Sequence, residues 1–252
     1  MVKSAESFKC NEFSTLRRKY SFIGEVKKLF ALPFILFLCF ALVPSIARSE
    51  VWKGHVRPIL SRAFDRDGIL LITAGSMAVG LSQSRDMEVR ERFMDHRVLS
   101  QDLTNVGNFV GTGLPGIVIA LSQLSWDTEG GIAHGEALVS TFLTTSLLKA
   151  VNQRNRPDSS NRESMPSGHT STVFATATSL TYRYGWKVAI PSYSIGILAA
   201  ASRWSEDAHW FSDTVAGALV GIFWGRATAQ ASIEVVPTIS KDHIGLHWFA
   251  TF

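Results

Sequence analysis

The sequence predicts an all-α protein, a helical bundle of about six helices with a short C-terminal β-hairpin. Charge-poor stretches rich in Ala, Leu, Ile and Val recur along the chain, and Gly, Pro and charged residues separate them. Most of these stretches are shorter than the roughly 20 residues of a membrane span, which favours the core helices of a soluble bundle. A multi-pass membrane enzyme is the alternative, because helices that line a polar site need not be uniformly apolar.

The predicted helices lie between residues 69 and 225. They are expected at 69–82, 103–126, 137–148, 170–182, 188–202 and 214–225. Of these stretches, only 103–126 is long enough to cross a membrane by itself. Apolar runs at 233–236 and 247–252 then flank a polar turn, which predicts the hairpin over 233–252.

The N-terminal segment has the features of an export signal. A basic segment, residues 1–28, precedes an apolar stretch at 29–47 that ends in Ser45-Ile46-Ala47. This order is typical of a cleaved secretory signal peptide, and an uncleaved membrane anchor is the close alternative. Either would place the main domain, expected over 48–232, on the periplasmic side of a bacterial inner membrane.

Composition excludes several classes of function. The net charge is +4, but the surplus of Lys and Arg precedes the first apolar run, so the remainder is close to neutral. Nucleic-acid binding is not expected, because no basic stripe with interleaved aromatic residues follows. The two cysteines, Cys10 and Cys39, lie in or before the first apolar stretch, which excludes a disulfide framework and a Cys-based zinc site from the main domain.

The first polar cluster is Lys149-x6-Arg156-Pro157. Lysine at the end of an apolar helix and arginines just beyond it bring cationic donors together, and Pro157 is expected to end the helix. Arginine offers phosphate oxygens a planar fork and lysine a point charge. Taken alone, the cluster equally fits a basic helix end that complements the helix dipole.

The second cluster is Pro166-Ser167-Gly168-His169, in front of an apolar helix. A glycine before a helix start lets backbone N–H groups approach an anion closely, and the positive end of the helix favours that anion. His169 would then lie at the edge of an anion site. Taken alone, this histidine fits a helix cap or core packing. His134 and Glu136, near a Gly-Gly break, are expected to be surface or helix-cap groups.

The third cluster is Ser202-Arg203-x5-His209-x3-Asp213. If a helix begins near His209, then His209 and Asp213 are neighbours on one helix face. The carboxylate can hold one imidazole nitrogen and leave the other free to attack. An ordinary surface His/Asp pair is the alternative for this cluster by itself.

Together the three clusters resemble the signature of the type 2 phosphatidic acid phosphatase superfamily, in order and in spacing, over about residues 138–225. The resemblance implies a phosphatase that hydrolyses phosphate monoesters or diphosphates through a phosphohistidine, without a metal or other cofactor. It implies His209 as nucleophile, Asp213 as its partner and His169 as the acid that protonates the leaving oxygen. The phosphate-binding residues that it implies are Lys149, Arg156, Ser167, Gly168 and Arg203.

The substrate and the class of activity have alternatives. Placement near a membrane favours a lipid-linked phosphate, and the side chains of Trp204, Trp210 and Phe211 are candidates to line a pocket for an apolar leaving group. A soluble periplasmic non-specific acid phosphatase is the main alternative. The superfamily also includes vanadate-dependent haloperoxidases, and a non-catalytic envelope protein is a third class. Substrate identity and oligomeric state stay open.

Overall fold

The computed structural model describes residues 56–96 and 98–229 in full, and the backbone of 233–239 and 244–250. The chain divides into two compact units, Met1–Pro58 and Ile59–Phe252. The basic segment and the apolar stretch at 29–47 lie outside the described residues, so the signal peptide or anchor stays a prediction. Apart from the start of the first helix, everything described below belongs to the second unit.

Most of the described residues lie in helices. They are α1 (Arg57–Ala63), α2 (Arg66–Ser82), α3 (Asp86–Asp95), α4 (Gln101–Gly111), α5 (Leu114–Gln123), α6 (Thr128–Asn152), α7 (Gly168–Tyr184), α8 (Trp186–Ser205) and α9 (Phe211–Thr228), with a 3-10 turn at Gln83–Arg85. All six predicted stretches fall in helical regions, and the all-α class is confirmed. The helices outnumber the predicted six, because the short α1 precedes the first predicted stretch and for two further reasons.

The first reason is a break in the predicted 103–126 helix. Gly113 adopts a left-handed conformation with φ +84°, and Pro115 follows it, so the stretch divides into α4 and α5, which meet at a bend of 52°. The second is α3, whose charged sequence gave no apolar pattern. Within the described part of the chain no single helix is long and apolar enough to span a membrane, whereas α4 and α5 taken together meet that test.

The C-terminal hairpin stays a prediction. The backbone at β1 (Ile233–Ile239) and β2 (Ile244–Ala250) is extended and antiparallel, with Ile233 opposite Ala250 and Ile239 opposite Ile244. No side chain of this segment is described, so no packing of its apolar residues supports it. The functional site lies among the helices and the loops that connect them.

The crossing of α7 and α9 forms the centre of the bundle. A Cβ added at Gly217 would lie 2.5 Å from the carbonyl oxygen of Ser167, and one at Gly221 would lie 2.3 Å from that of Ser171. Glycine at these positions therefore lets the two helix backbones come into contact. The crossing also joins their N-terminal ends, where the backbone N–H of Ser167 donates to the carbonyl oxygen of Asp213 at 2.9 Å.

A buried polar cluster joins α5, α6 and α7. His134 is completely buried, its Nδ1 lies 2.8 Å from Gln123 Oε1, and its Nε2 lies 3.0 Å from Thr176 Oγ1. Burial lowers the pKa of His134 to about 4, so the imidazole is neutral at physiological pH. The expected surface or cap position of His134 is wrong. This side chain cross-links three helices, a role that its Gly-rich neighbourhood did not indicate.

Candidate active site

Lys149 lies in the last turn of α6. This helix ends at Asn152, because Gln153 adopts a left-handed conformation with φ 47°. The end comes before Pro157, so the prediction that the proline ends the helix is wrong. Lys149 Nζ donates to the carbonyl oxygen of Glu163. Burial, and then the positive charge of Arg156, lower the pKa of Lys149 to about 8, so the ammonium still dominates at neutral pH.

The two arginines after α6 have different partners. Arg154 donates from Nη1 to Asp213 Oδ1 at 2.8 Å and from Nη2 to Asp86 Oδ2 at 2.7 Å. Among the described residues, by contrast, the buried Nε of Arg156 has no hydrogen-bond partner. Arg154 is therefore neutralised by two carboxylates, and Arg156 retains an unused donor.

Backbone hydrogen bonds attach the 153–164 loop to the residues around His209. The N–H of Asp158 donates to the carbonyl oxygen of Asp207 at 3.2 Å, and within the loop the N–H of Ser164 closes it by donating to the carbonyl oxygen of Arg154 at 3.0 Å. The side chain of Trp210 adds a bond from its Nε1 to the carbonyl oxygen of Asn155 at 2.9 Å. These bonds hold the first and third clusters together.

The second cluster forms the start of α7. Ser167 is the N-cap, and its Oγ accepts from Thr170 Oγ1 at 3.1 Å. Gly168 is the first helical residue, and a Cβ added there would meet only Thr145 Cγ2, at 3.9 Å. The first N–H groups of a helix have no partner within it, so this end of α7 can accept an anion.

His169 follows in the first turn of α7 and is held against α4. A Cβ added at Gly111 would lie only 2.5 Å from His169 Cδ2, so glycine at position 111 is what admits the imidazole. Burial, and then the positive charge of Arg203, lower the pKa of His169 to about 4. The sequence did not indicate this contact, because Gly111 lies outside the three clusters and 58 residues before His169.

Arg203 is buried near the end of α8 and has two side-chain partners. Its Nη1 donates to Asn108 Oδ1 at 2.5 Å and to Glu206 Oε2 at 2.6 Å, and Asn108 in turn donates to Glu206. In the described part of the chain its buried Nε has no partner. Arg203 thus also keeps a donor for an incoming oxygen, while Asn108 and Glu206 fix the guanidinium from its other end.

His209 precedes α9 instead of lying within it. The helix begins at Phe211 with Trp210 as its N-cap, so the expected helix start at His209 is two residues too early. The imidazole is 4% exposed, and its Nδ1 lies 3.6 Å from Asp213 Oδ2, which is longer than a hydrogen bond. Burial lowers the pKa of His209, which favours the neutral imidazole that a nucleophile requires.

Asp213 is completely buried and accepts hydrogen bonds from several directions. Oδ2 accepts from Ser164 Oγ and from the N–H of Trp210 at 2.9 Å, and Oδ1 accepts from Arg154 at 2.8 Å. Burial alone would raise its pKa, but His209 and these donors hold the pKa of the carboxyl below its usual value. Asp213 is therefore a fixed anion beside His209.

Asp86, at the start of α3, supports this arrangement from outside the three clusters. Its Oδ1 accepts from the N–H of Ser212 at 2.8 Å, and its Oδ2 accepts from Ser212 Oγ at 2.8 Å and from Arg154. Asp86 thus fixes both Arg154 and the first turn of α9. Asp86 was not predicted from the sequence. The one hint was Arg154, an additional positive charge next to Arg156 that could be expected to need a carboxylate partner.

The three aromatic side chains near the third cluster pack against other aromatic rings and against arginines. Trp204 lies between Phe93 and Phe211, at ring-centroid distances of 5.3 and 5.4 Å. The guanidinium groups of Arg90 and Arg154 lie over Trp210, at 5.7 and 5.6 Å from the ring centroid. These contacts are aromatic packing and cation–π interactions, and the pocket suggested for these residues stays a prediction.

The three clusters surround one space. The charges of Arg203, His209, Arg156 and Lys149 all lower the pKa of His169, and the charges of Lys149 and Arg156 lower that of His209. Three cations, a helix start and two neutral imidazoles can bind and transfer a phosphoryl group, because that chemistry depends mostly on positioning and positive charge. Among the described residues, no three His, Cys, Asp or Glu side chains are grouped to hold a metal ion.

Comparisons with known proteins agree with this geometry. The PAP2 superfamily model matches residues 130–235, which include all three clusters. A lipid A 1-phosphatase from Porphyromonas gingivalis is 30% identical over 184 residues, or 68% of this chain and 39% of that protein. A lipid A 4'-phosphatase from Helicobacter pylori is 38% identical over 96 residues, or 36% of this chain and 48% of that protein. The chain thus spans less than half the length of each of these relatives.

Two crystal structures have a similar fold. LpxE from Aquifex aeolicus gives a TM-score of 0.51 at 18% identity, over 57% of this chain and 93% of that one. A transmembrane PAP2-type phosphatidylglycerolphosphate phosphatase from Bacillus subtilis gives a TM-score of 0.52 at 20% identity, over 64% and 92%. At these identities the structures show the fold alone. The segment at residues 130–235, which contains the three clusters, thus matches the PAP2 superfamily.

Proposed function

We propose that this protein is a phosphatase that removes phosphate from a lipid-linked monoester or diphosphate through a phosphohistidine intermediate. The observation that carries the proposal is the convergence of Lys149, Arg156 and Arg203 on two neutral histidines, one of which lies beside the buried carboxylate of Asp213. Unused, buried guanidinium donors at Arg156 and Arg203 suit the oxygens of a phosphoryl group.

The reaction has two steps. In the first, the Nε2 of His209 attacks phosphorus while Asp213 stabilises the positive charge that forms on the imidazole. The bond from phosphorus to the leaving oxygen breaks, and His169, which takes up a proton when the bound phosphate offsets the neighbouring cations, gives that oxygen its proton. In the second step His169 takes a proton from water, the water oxygen attacks phosphorus, and the P–N bond breaks to release phosphate. The cations and the start of α7 stabilise the charge on the phosphoryl oxygens throughout.

A lipid-linked substrate is favoured by two observations. The relatives reported above are named as phosphatases of lipid A, a phosphorylated lipid. Large apolar side chains are also exposed along several helices, among them Leu121 (62%), Phe142 (65%) and Ile190 (64%). Exposed apolar area on this scale is typical of a surface that contacts a membrane or a partner. We therefore propose that the protein acts at a membrane of the bacterial envelope, and the export signal predicted at its N-terminus would put its site on the periplasmic side.

Phosphate release by the purified full-length protein tests the proposal. The panel contains a phosphatidate, an isoprenoid diphosphate and a soluble aryl phosphate, without added metal, and compares wild type with His209→Ala. We expect phosphate release from at least one lipid. In the variant we expect release to fall by a factor of about 10⁴ or more, because no phosphohistidine can form without the imidazole of residue 209. Equal release by the variant would contradict the mechanism.

The same panel distinguishes the alternatives. Faster turnover of the aryl phosphate than of any dispersed lipid would favour the soluble non-specific acid phosphatase. Halide oxidation that requires added vanadate and peroxide would favour a haloperoxidase. Absence of release from every substrate would favour a non-catalytic envelope protein.

A further inference from the structure

The carboxylate of Glu206 lies beside one of the three cations of the candidate site. Its Oε2 accepts from Arg203 Nη1 at 2.6 Å, and its Oε1 accepts from Asn108 Nδ2. The side chain of Glu206 is 37% exposed, whereas that of Arg203 is 9% exposed. Glu206 therefore pairs with the buried guanidinium from the open edge of the site, and it balances the charge of a residue that the proposed reaction uses to hold phosphate.

The position of Arg203 does not require that negative charge. The same Nη1 donates to Asn108 Oδ1 at 2.5 Å. Asn108 is itself fixed by the close packing of α4 on α8, where a Cβ added at Gly107 would lie 2.8 Å from the carbonyl oxygen of Leu198. A neutral amide thus already holds the guanidinium. The carboxylate adds negative charge to a site for anions, and this charge opposes the binding of every anion.

The Arg203–Glu206 pair lies on the side of the leaving group. Asn108 and Gly111 are three residues apart on one face of α4, a rise of about 4.5 Å. Asn108 accepts from Arg203, and the absence of a side chain at Gly111 admits the imidazole of His169. Because His169 is the proposed acid for the leaving oxygen, that oxygen would lie about one helical turn from the Arg203–Glu206 pair.

The charge of the leaving group distinguishes two classes of substrate. A phosphate monoester releases a neutral alcohol, whereas a diphosphate releases a second phosphate, which is anionic. A second phosphate at the free Nε of Arg203 would be separated from the Glu206 carboxylate by one guanidinium group, at most about 8 Å. This distance does not exceed the Debye length at physiological ionic strength, so salt would screen the repulsion only in part. The transferred phosphoryl group is common to both classes, so only the repulsion of the leaving group differs.

We propose that Glu206 makes the site selective for phosphate monoesters over diphosphates, because its carboxylate repels the anionic leaving group of a diphosphate. The inference rests on the proposed phosphatase function and narrows the class of phosphate that it takes. Selectivity of this kind comes from an interaction that is unfavourable for the wrong substrate. A carboxylate that only supported Arg203 would instead assist both substrates equally.

Removal of the charge provides the test. Glu206→Gln keeps the size of the side chain and an oxygen that can accept from Arg203. The substrates are phosphatidate and the diacylglycerol diphosphate with the same acyl chains, in mixed detergent micelles at neutral pH without added metal. Initial rates are measured, so that phosphatidate formed from the diphosphate does not contribute. We expect the ratio of kcat/KM for the diphosphate to that for the monoester to rise about tenfold.

Two further variants separate the charge from the hydrogen bonds. Asn108→Asp combined with Glu206→Gln returns one carboxylate to Arg203 Nη1, and the glutamine amide can donate to it, so the ratio should stay within about twofold of wild type. Glu88→Gln removes a carboxylate that also pairs with an arginine but is 65% exposed in α3, and it should change neither rate. An equal fall on both lipids in Glu206→Gln, an unchanged ratio, or a ratio that also rises in the double variant would overturn the inference.

Anion binding gives a readout that does not depend on turnover. Inorganic phosphate and pyrophosphate are titrated calorimetrically into wild type and Glu206→Gln. We expect the variant to bind pyrophosphate more tightly relative to phosphate, again by about tenfold. An equal change in both affinities would overturn the selectivity. If neither lipid gives His209-dependent release, the proposed function fails, whereas the titration still decides the selectivity.

Discussion

The residue with the most closely defined surroundings in the site is Asp213. Its carboxylate accepts hydrogen bonds from Ser164, Arg154 and Trp210, which belong to different parts of the chain, and it lies 3.6 Å from His209 Nδ1. A carboxylate held in this way cannot turn away from the imidazole, so the orientation of His209 follows from the hydrogen bonds of its neighbour.

Asp86→Asn tests whether this orientation depends on α3. The asparagine amide lacks the negative charge that holds Arg154 in place. Arg154 is then less firmly positioned to donate to Asp213. We expect kcat to fall about tenfold to a hundredfold, as for a small misplacement of a reacting group, with KM nearly unchanged. Glu88→Gln, in the same helix and paired with exposed Arg85, is the control and should leave kcat and KM unchanged. A change in KM alone, or none, would show that Asp86 does not position the site.

His169 gives a prediction about protons. Its pKa of about 4 in the unliganded site means that the imidazole is neutral at about pH 5.5, where an unperturbed histidine is mostly protonated. A bound anion offsets the cations that lower this pKa. The pKa therefore rises, and binding takes up a proton.

Calorimetry of sulfate binding in buffers of different ionisation enthalpy measures that uptake. We expect net proton uptake at about pH 5.5. At about pH 8 the uptake should be smaller, because this pH lies above even the raised pKa of His169. His169→Asn should lose most of the uptake, whereas His209→Asn should retain the part due to His169. Equal uptake by wild type and His169→Asn would assign the proton to another group.

At the residue scale, the site residues that could be predicted are those that lie close together along the sequence, within the three clusters. Lys149, Arg156, His169 and His209 were identified in this way, and the structure places them around one space. Asp86 and Gly111 were missed, because their contributions arise from contacts between distant parts of the chain. A carboxylate at a helix start and a glycine near a helix end are ordinary features until the partner is known.

At the scale of the helix, the α7–α9 crossing fixes the relation of the second and third clusters. Gly221→Ala tests that crossing, because the new Cβ would lie 2.3 Å from a backbone oxygen that cannot move without moving α7. We expect a loss of about 1–3 kcal/mol in the free energy of unfolding, measured by chemical denaturation. Gly80→Ala, with open space around its Cβ, should instead be neutral or slightly stabilising. Similar stability of the two variants would contradict the close crossing.

Helix positions were predictable where apolar residues recur, and helix ends were less so. The break in 103–126 had a signal in Gly113-Leu114-Pro115, whose glycine takes up the left-handed conformation. The end of α6 had no such signal in the sequence. Gln153 adopts the left-handed conformation there, although glycine or asparagine usually occupies such a position. The charged α3 was missed because it packs through few apolar residues, although it supplies Asp86.

The whole molecule combines a charged interior site with an apolar exterior. Buried polar groups such as His134, Arg203 and Asp213 occupy positions that a simple apolar core would fill, while large apolar side chains are exposed on α2, α5, α6 and α8. Sequence analysis favoured a soluble bundle on helix length alone. Length does not report which face of a helix is exposed, so the exposed apolar surface became visible only in the structure.

The most direct test of the central claim is capture of the phosphoryl group on His209. Full-length protein is mixed with phosphatidate carrying ³²P in its phosphate and quenched in alkali within the first turnovers, since phosphohistidine is labile to acid. We expect protein-bound label in wild type that maps to the peptide containing His209 and is absent from His209→Ala. Label in a peptide without His209, or lipid hydrolysis at the same rate in His209→Ala, would contradict the account.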